Sequence, residues 1–152
     1  MRLAALALIA ASAAFAAAPD LSGNWKLNGS KSDFGQFPPP SSLSQKITHT
    51  EPTLKVETKM SSDMGDMEFT GNYTTDGKES TNQGFGGSEA KSTAKWVAET
   101  LVMETKGSFG DNAYTMKDKW SLSGDGKVLT ILRHFSSGMG ELDQKLVFEK
   151  QP

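Results

Sequence analysis

The chain has 152 residues, with 16 basic against 18 acidic side chains, a net charge of −2, and 36% apolar residues. That length suits one domain with its own core, and the lack of a dense basic face excludes nucleic acid as a partner. There is no cysteine, so disulfides, thiolate metal sites and a lipid-anchored cysteine are excluded as well.

Residues 1–16 read as a secretory signal peptide. Arg2 supplies the positive start, Leu3 to Ala14 the apolar stretch, and Ala14-Phe15-Ala16 the small-x-small cleavage site. The apolar run is too short for a membrane span. The expectation is an exported protein, periplasmic or extracellular, whose residues 17–152 form a single domain.

From residue 21 onward the hydrophobic signal has period two, broken by turns, which is the pattern of antiparallel strands. Strands are predicted near 21–29, 43–50, 53–60, 66–75, 78–83, 90–97, 100–106, 112–123, 127–136 and 142–149. Pro38-Pro39-Pro40 cannot join a central ladder and marks a loop. Gly84 to Gly87 and Gly107 to Gly110 mark two more. Asp76-Gly77 and Asp125-Gly126 match two-residue type I′ hairpin turns.

The second of these turns implies a register. Leu122 faces Leu129, Trp120 faces Ile131, Asp118 faces Arg133 and Met116 faces Phe135, all on one side. Ser121 with Thr130, Lys119 with Leu132 and Lys117 with His134 share the other side. The first turn groups Tyr73, Gly71, Phe69 and Met67 on one face. Ala94, Trp96, Leu101 and Met103 continue that apolar face, as do Leu54, Val56 and Met60. The expected fold is all-β, a single up-and-down antiparallel β-barrel of about 8–10 strands, which removes its edges by closing on itself.

Gly23-Asn24-Trp25-Lys26-Leu27 resembles the G-x-W opening of lipocalins, fatty-acid-binding proteins and their calycin relatives. The resemblance implies that Trp25 closes one barrel end beneath a basic side chain of the last strand, Lys145 or Lys150. It points to an exported, bacterial-style lipocalin-like protein without assigning a subfamily. Ser30 to Ser42 is too short and too proline-rich for the helical pair of fatty-acid-binding proteins. Gln144-x-Leu146 stands where those proteins carry an Arg-x-Tyr carboxylate anchor, and it cannot neutralise a carboxylate. Neither the disulfide of typical lipocalins nor their helix after the barrel is legible.

Arg133 is the one arginine beyond the leader, and the register sets it beside Asp118 on the apolar face. A buried charge needs a partner, so the pair is either a structural ion pair or the polar element of a ligand site. Trp25, Trp96, Trp120, Tyr73, Tyr114, Phe69 and Phe135 form an inward aromatic set that either fills the barrel or lines a cavity. His49 shares the inward phase of Ile47 and reads as a hydrogen-bonded histidine. Met60, Met64 and Met67, with Asp63 and Asp66, look superficially like a copper site, but their phase favours a turn between core methionines. No nucleophile motif, metal-ligand spacing or phosphate loop occurs.

The expected function is therefore non-enzymatic binding or carriage of a small hydrophobic or amphipathic molecule by a monomer, with no cofactor and no metal. The expected ligand-binding residues are His49, Phe69, Tyr73, Trp96, Met103, Tyr114, Met116, Asp118, Trp120, Arg133 and Phe135. A filled barrel acting as an interaction or structural protein is the alternative, and an enzyme with an unrecognised site is the third reading.

Overall fold

The structure is a computed structural model that describes residues 16–152; the leader lies almost wholly outside the described residues. Ten strands follow one another in antiparallel order: β1 (Gly23–Leu27), β2 (Ser42–Thr50), β3 (Thr53–Ser62), β4 (Gly65–Thr74), β5 (Asp76–Gln83), β6 (Glu89–Val97), β7 (Thr100–Phe109), β8 (Asn112–Leu122), β9 (Val128–Ser137) and β10 (Gly140–Lys150). They form one sheet in the order β4-β3-β2-β1-β10-β9-β8-β7-β6-β5, in which β1 and β10 pair across the chain ends. The result is a nearly closed up-and-down barrel, as the alternation of the sequence predicts.

The β8–β9 register is the one expected, with Asp118 opposite Arg133, Trp120 opposite Ile131 and Leu122 opposite Leu129. The turn that sets it is different. Asp125 does not take the positive φ that a type I′ turn requires; only Gly126 does, at 71°. The Gly126 N–H donates to the Ser123 carbonyl, so the loop is wider while the pairing is preserved.

The turn at Asp76-Gly77 corrects the second expectation. Gly77 has φ of 83° and Asp76 stays negative, and β4 and β5 are the two ends of the sheet rather than a paired hairpin. A gap runs between them. The Asn82 carboxamide crosses it, its Oδ1 accepting the Asn72 N–H at 2.8 Å and its Nδ2 donating to the Asn72 carbonyl at 3.0 Å.

Gly107 also departs from its expected loop, because β7 continues through it to Phe109. A Cβ at Gly107 would overlap the ring of Tyr114, its cross-strand partner. Here an aromatic side chain covers a strand glycine and keeps the ladder intact.

The β1–β2 connection holds one 3-10 turn, Gly29–Lys31, and then Asp33 pairs with Lys145 on β10. With alternating strands, this connection and the turns β3–β4, β5–β6, β7–β8 and β9–β10 gather at one end of the barrel. The other end holds the tight turns and the core. There Leu21, Trp25, Leu54, Leu101, Leu129, Ile131 and Phe148 are almost fully buried, each contributing about 1.5–3 kcal/mol of apolar transfer. Trp25 donates its indole N–H to the Leu21 carbonyl at 3.0 Å, and the Lys150 ammonium lies 5.5 Å from its ring centre. Of the two lysines proposed to cover Trp25, Lys150 is the one in place.

Candidate functional site

Inward-pointing residues divide the barrel into a filled half and a hollow half. Beyond the core lies a niche of about 110 Å³ at mid-height. It shares Phe69, Tyr73, Phe85 and Met116 with a larger cavity of about 470 Å³ that opens between β4 and β5 beneath the Gly84–Ser88 loop. The two spaces adjoin at these four side chains, and the larger falls within the usual size of a small-molecule site. Two other concavities, of about 580 and 640 Å³, lie over β7–β10 and β1–β3. They are surface grooves walled by outward side chains such as Lys117, Lys119 and Lys46.

The niche holds the ion pair. Arg133 donates from Nε to Asp118 Oδ1 and from Nη2 to Asp118 Oδ2, both at 2.8 Å. The Asp118 side chain is 3% exposed and that of Arg133 22%. Burial opposes the guanidinium charge, but the adjoining carboxylate outweighs it and raises the pKa of Arg133. Such a fork-to-fork contact fixes both groups in orientation. Tyr73 folds back along its own strand over Gly71, where a Cβ would collide with the ring. Burial first, and then the Asp118 charge, pushes the Tyr73 phenol up, so it stays protonated.

The mouth of the cavity is aromatic. Tyr114 stacks on Phe135 at 5.5 Å and packs against Phe109 at 4.9 Å and Phe85 at 5.8 Å. Such clustered rings contribute attraction beyond their buried area. Phe69 and Met67 remain 47% and 42% exposed at the rim.

Of the expected ligand-binding residues, Phe69, Tyr73, Met103, Tyr114, Met116, Asp118, Trp120 and Arg133 all line the niche or the larger cavity. Phe135 reaches it through Tyr114. His49 and Trp96 do not: they sit in a hydrogen-bonded cluster at the filled end. The Leu21 N–H donates to His49 Nδ1 at 3.2 Å, which leaves the ring proton on Nε2, 2.7 Å from Glu51 Oε1. The Trp96 indole donates to the same oxygen at 2.6 Å, and the Thr75 hydroxyl donates to Glu51 Oε2.

Gln45, Thr58 and Phe85 line the niche and were missed as site residues. The signal for the first two is a polar residue on an otherwise apolar strand face, Leu43-x-Gln45-x-Ile47 and Val56-x-Thr58-x-Met60. Met60 pairs with Met67 across β3 and β4, while Met64 is 94% exposed in the turn between them. Among the described residues no group of three or more histidine or acidic side chains is placed to hold a metal ion.

No family model matches the chain, and no curated protein sequence matches it significantly. Solved structures do match in shape. The ileal bile acid-binding protein of zebrafish, solved with cholic acid, superposes with a TM-score of 0.62 at 15% identity, over 86% of this chain and 98% of its own. A protein described as the REP1-NXSQ fatty acid transporter gives 0.59 at 10% identity, over 87% and 96%. Secretory abundant heat soluble protein 4 of Ramazzottius varieornatus gives 0.56 at 16% identity, over 87% and 95%. At these identities the likeness is one of fold alone: the chain is an up-and-down antiparallel β-barrel whose shape matches these structures.

Proposed function

We propose that this protein binds one small hydrophobic or amphipathic molecule inside its barrel, and sequesters or carries it without chemical change. The observation that carries this reading is the hollow half of the barrel, a cavity of about 470 Å³ that leads to a niche with a buried ion pair. Apolar walls with a few convergent polar groups are what such ligands require. Burial of the ligand's apolar part supplies most of the affinity, and the polar niche orients it. The barrels it resembles in shape include one solved with cholic acid and one described as a fatty acid transporter, which supports an amphipathic ligand. The leader-like first 16 residues support action after export, and the absence of a nucleophile motif or metal-ligand spacing in the sequence supports binding without catalysis.

Native mass spectrometry of the gently purified protein tests the reading. The expected result is a stoichiometric small-molecule adduct that organic extraction removes. A protein that carries nothing, and afterwards takes up no amphipath offered to it, would mean that the cavity has no ligand.

A further inference from the structure

Among the described residues, three buried side-chain polar atoms have no hydrogen-bond partner: Gln45 Oε1, Thr58 Oγ1 and Trp120 Nε1. They lie on β2, β3 and β8, yet all three residues line the same niche. Each such orphan forfeits its hydration without compensation, and natural cores rarely keep one without a reason. Three around one small space form a set of groups awaiting a partner.

Their chemistry narrows what that partner is. An indole N–H only donates, a carboxamide oxygen only accepts, and a hydroxyl does both. Arg133 does not turn the niche into an anion site, because Asp118 already engages it through two hydrogen bonds and neutralises it. These two are the charged residues lining the niche, so its net charge is zero. The wider cavity adds no basic side chain: Asp66 and Glu68 stand at its rim, and Glu68 is already paired with Lys59 at 3.3 Å. A carboxylate entering there would lose its hydration with no free cation to meet it.

We infer that the niche selects an uncharged head group able both to donate and to accept hydrogen bonds, a hydroxyl or a primary amide, and discriminates against a free carboxylate. The apolar remainder of the ligand occupies the larger cavity toward the gap between β4 and β5. This deepens the carrier reading and rests on it.

Calorimetric titration of the delipidated protein at pH 8 with dodecan-1-ol, dodecanamide and dodecanoate tests the inference, since the three share one chain and differ only in the head. The alcohol or the amide is expected to bind about tenfold or more tightly than the carboxylate. Equal or tighter binding of dodecanoate overturns the inference and leaves the carrier reading standing. Failure of all three to bind at high micromolar concentration removes both. In Asp118→Asn, which frees Arg133 from its counter-charge, the preference is expected to swing about tenfold toward dodecanoate; an unchanged preference counts against the inference. Gln45→Met removes the acceptor, which an alcohol or amide can use and a carboxylate cannot, and is expected to weaken alcohol binding by about fivefold more than dodecanoate binding. An equal loss for both ligands counts against it too.

Discussion

Asp118 sits on a strand face shared with Met116 and Trp120, and its side chain is 3% exposed. Truncating it strands the Arg133 guanidinium in the niche with neither counter-charge nor hydrogen bonds. Removing one partner of a buried pair is far more damaging than replacing both. Asp118→Ala is expected to lower the unfolding free energy by about 3 kcal/mol, read from urea melts. A loss below about 1 kcal/mol is the signature of a solvated surface pair and would contradict the geometry. This pair was legible in the sequence because one hairpin register places two opposite charges across from each other on an apolar face. His49 and Trp96 show the limit of that reasoning. Alternation says which side of a strand a residue faces, but not how far along the barrel axis it lies. Both face inward, yet depth puts them in the filled half beside Glu51 rather than in the cavity. Gln45 and Thr58 share the inward parity too, and only the convergence of three strands shows that they meet.

Strand positions followed closely from the period-two pattern, because each strand buries one face and is bounded by turn residues. The closure of the sheet did not follow. Asp76-Gly77 has the composition of a hairpin turn, but β5 runs Asp-Gly-Lys-Glu-Ser-Thr-Asn-Gln, polar on both faces. Such a strand offers no apolar set to pin its register, and it breaks step between Asp76 and Glu79 even where it pairs with β6. The β4–β5 seam is therefore held by a side chain, and Asn82 takes the place of a neighbouring strand. Asn82→Ala is expected to cost only about 1 kcal/mol in overall stability, the worth of ordinary hydrogen bonds. The Asn72 amide, however, should lose its protection from hydrogen exchange, and ligand dissociation should quicken. Unchanged protection at Asn72 would mean that the seam is held by something other than this contact.

Across the whole molecule, the carboxylates with perturbed acidity are all pulled the same way. Asp125 is held below its usual pKa by the Ser123 hydroxyl and the Lys127 N–H, and Glu149 by Asn28 and Lys31. At Glu51 burial pushes upward, but hydrogen bonds from Thr75, Trp96 and His49 win and lower it. A carboxylate depressed in the folded state stabilises the fold above its unfolded pKa, and that contribution fades as pH falls through the folded value. Stability is thus expected to be level near neutrality and to decline below about pH 4.5. Glu51→Gln should shallow that decline, as checked by urea melts at stepped pH; a fold that gains stability on acidification would contradict the assignment. The strand order has one more consequence, for the chain as it is made. β1–β4 and β5–β9 share no backbone ladder with each other; besides the chain at Thr75 and side-chain contacts such as Asn82 to Asn72, they are joined through β10, which pairs Trp25 with Lys150 and Leu146 with Ile131. Until that strand is made, the two half-sheets have no backbone ladder to join them. β10 is then the keystone of the barrel, and its pairing with the sequence-distant β1 is intrinsically slow. A barrel not yet closed by β10 exposes apolar surface and unpaired strand edges, the features that make folding intermediates prone to aggregate.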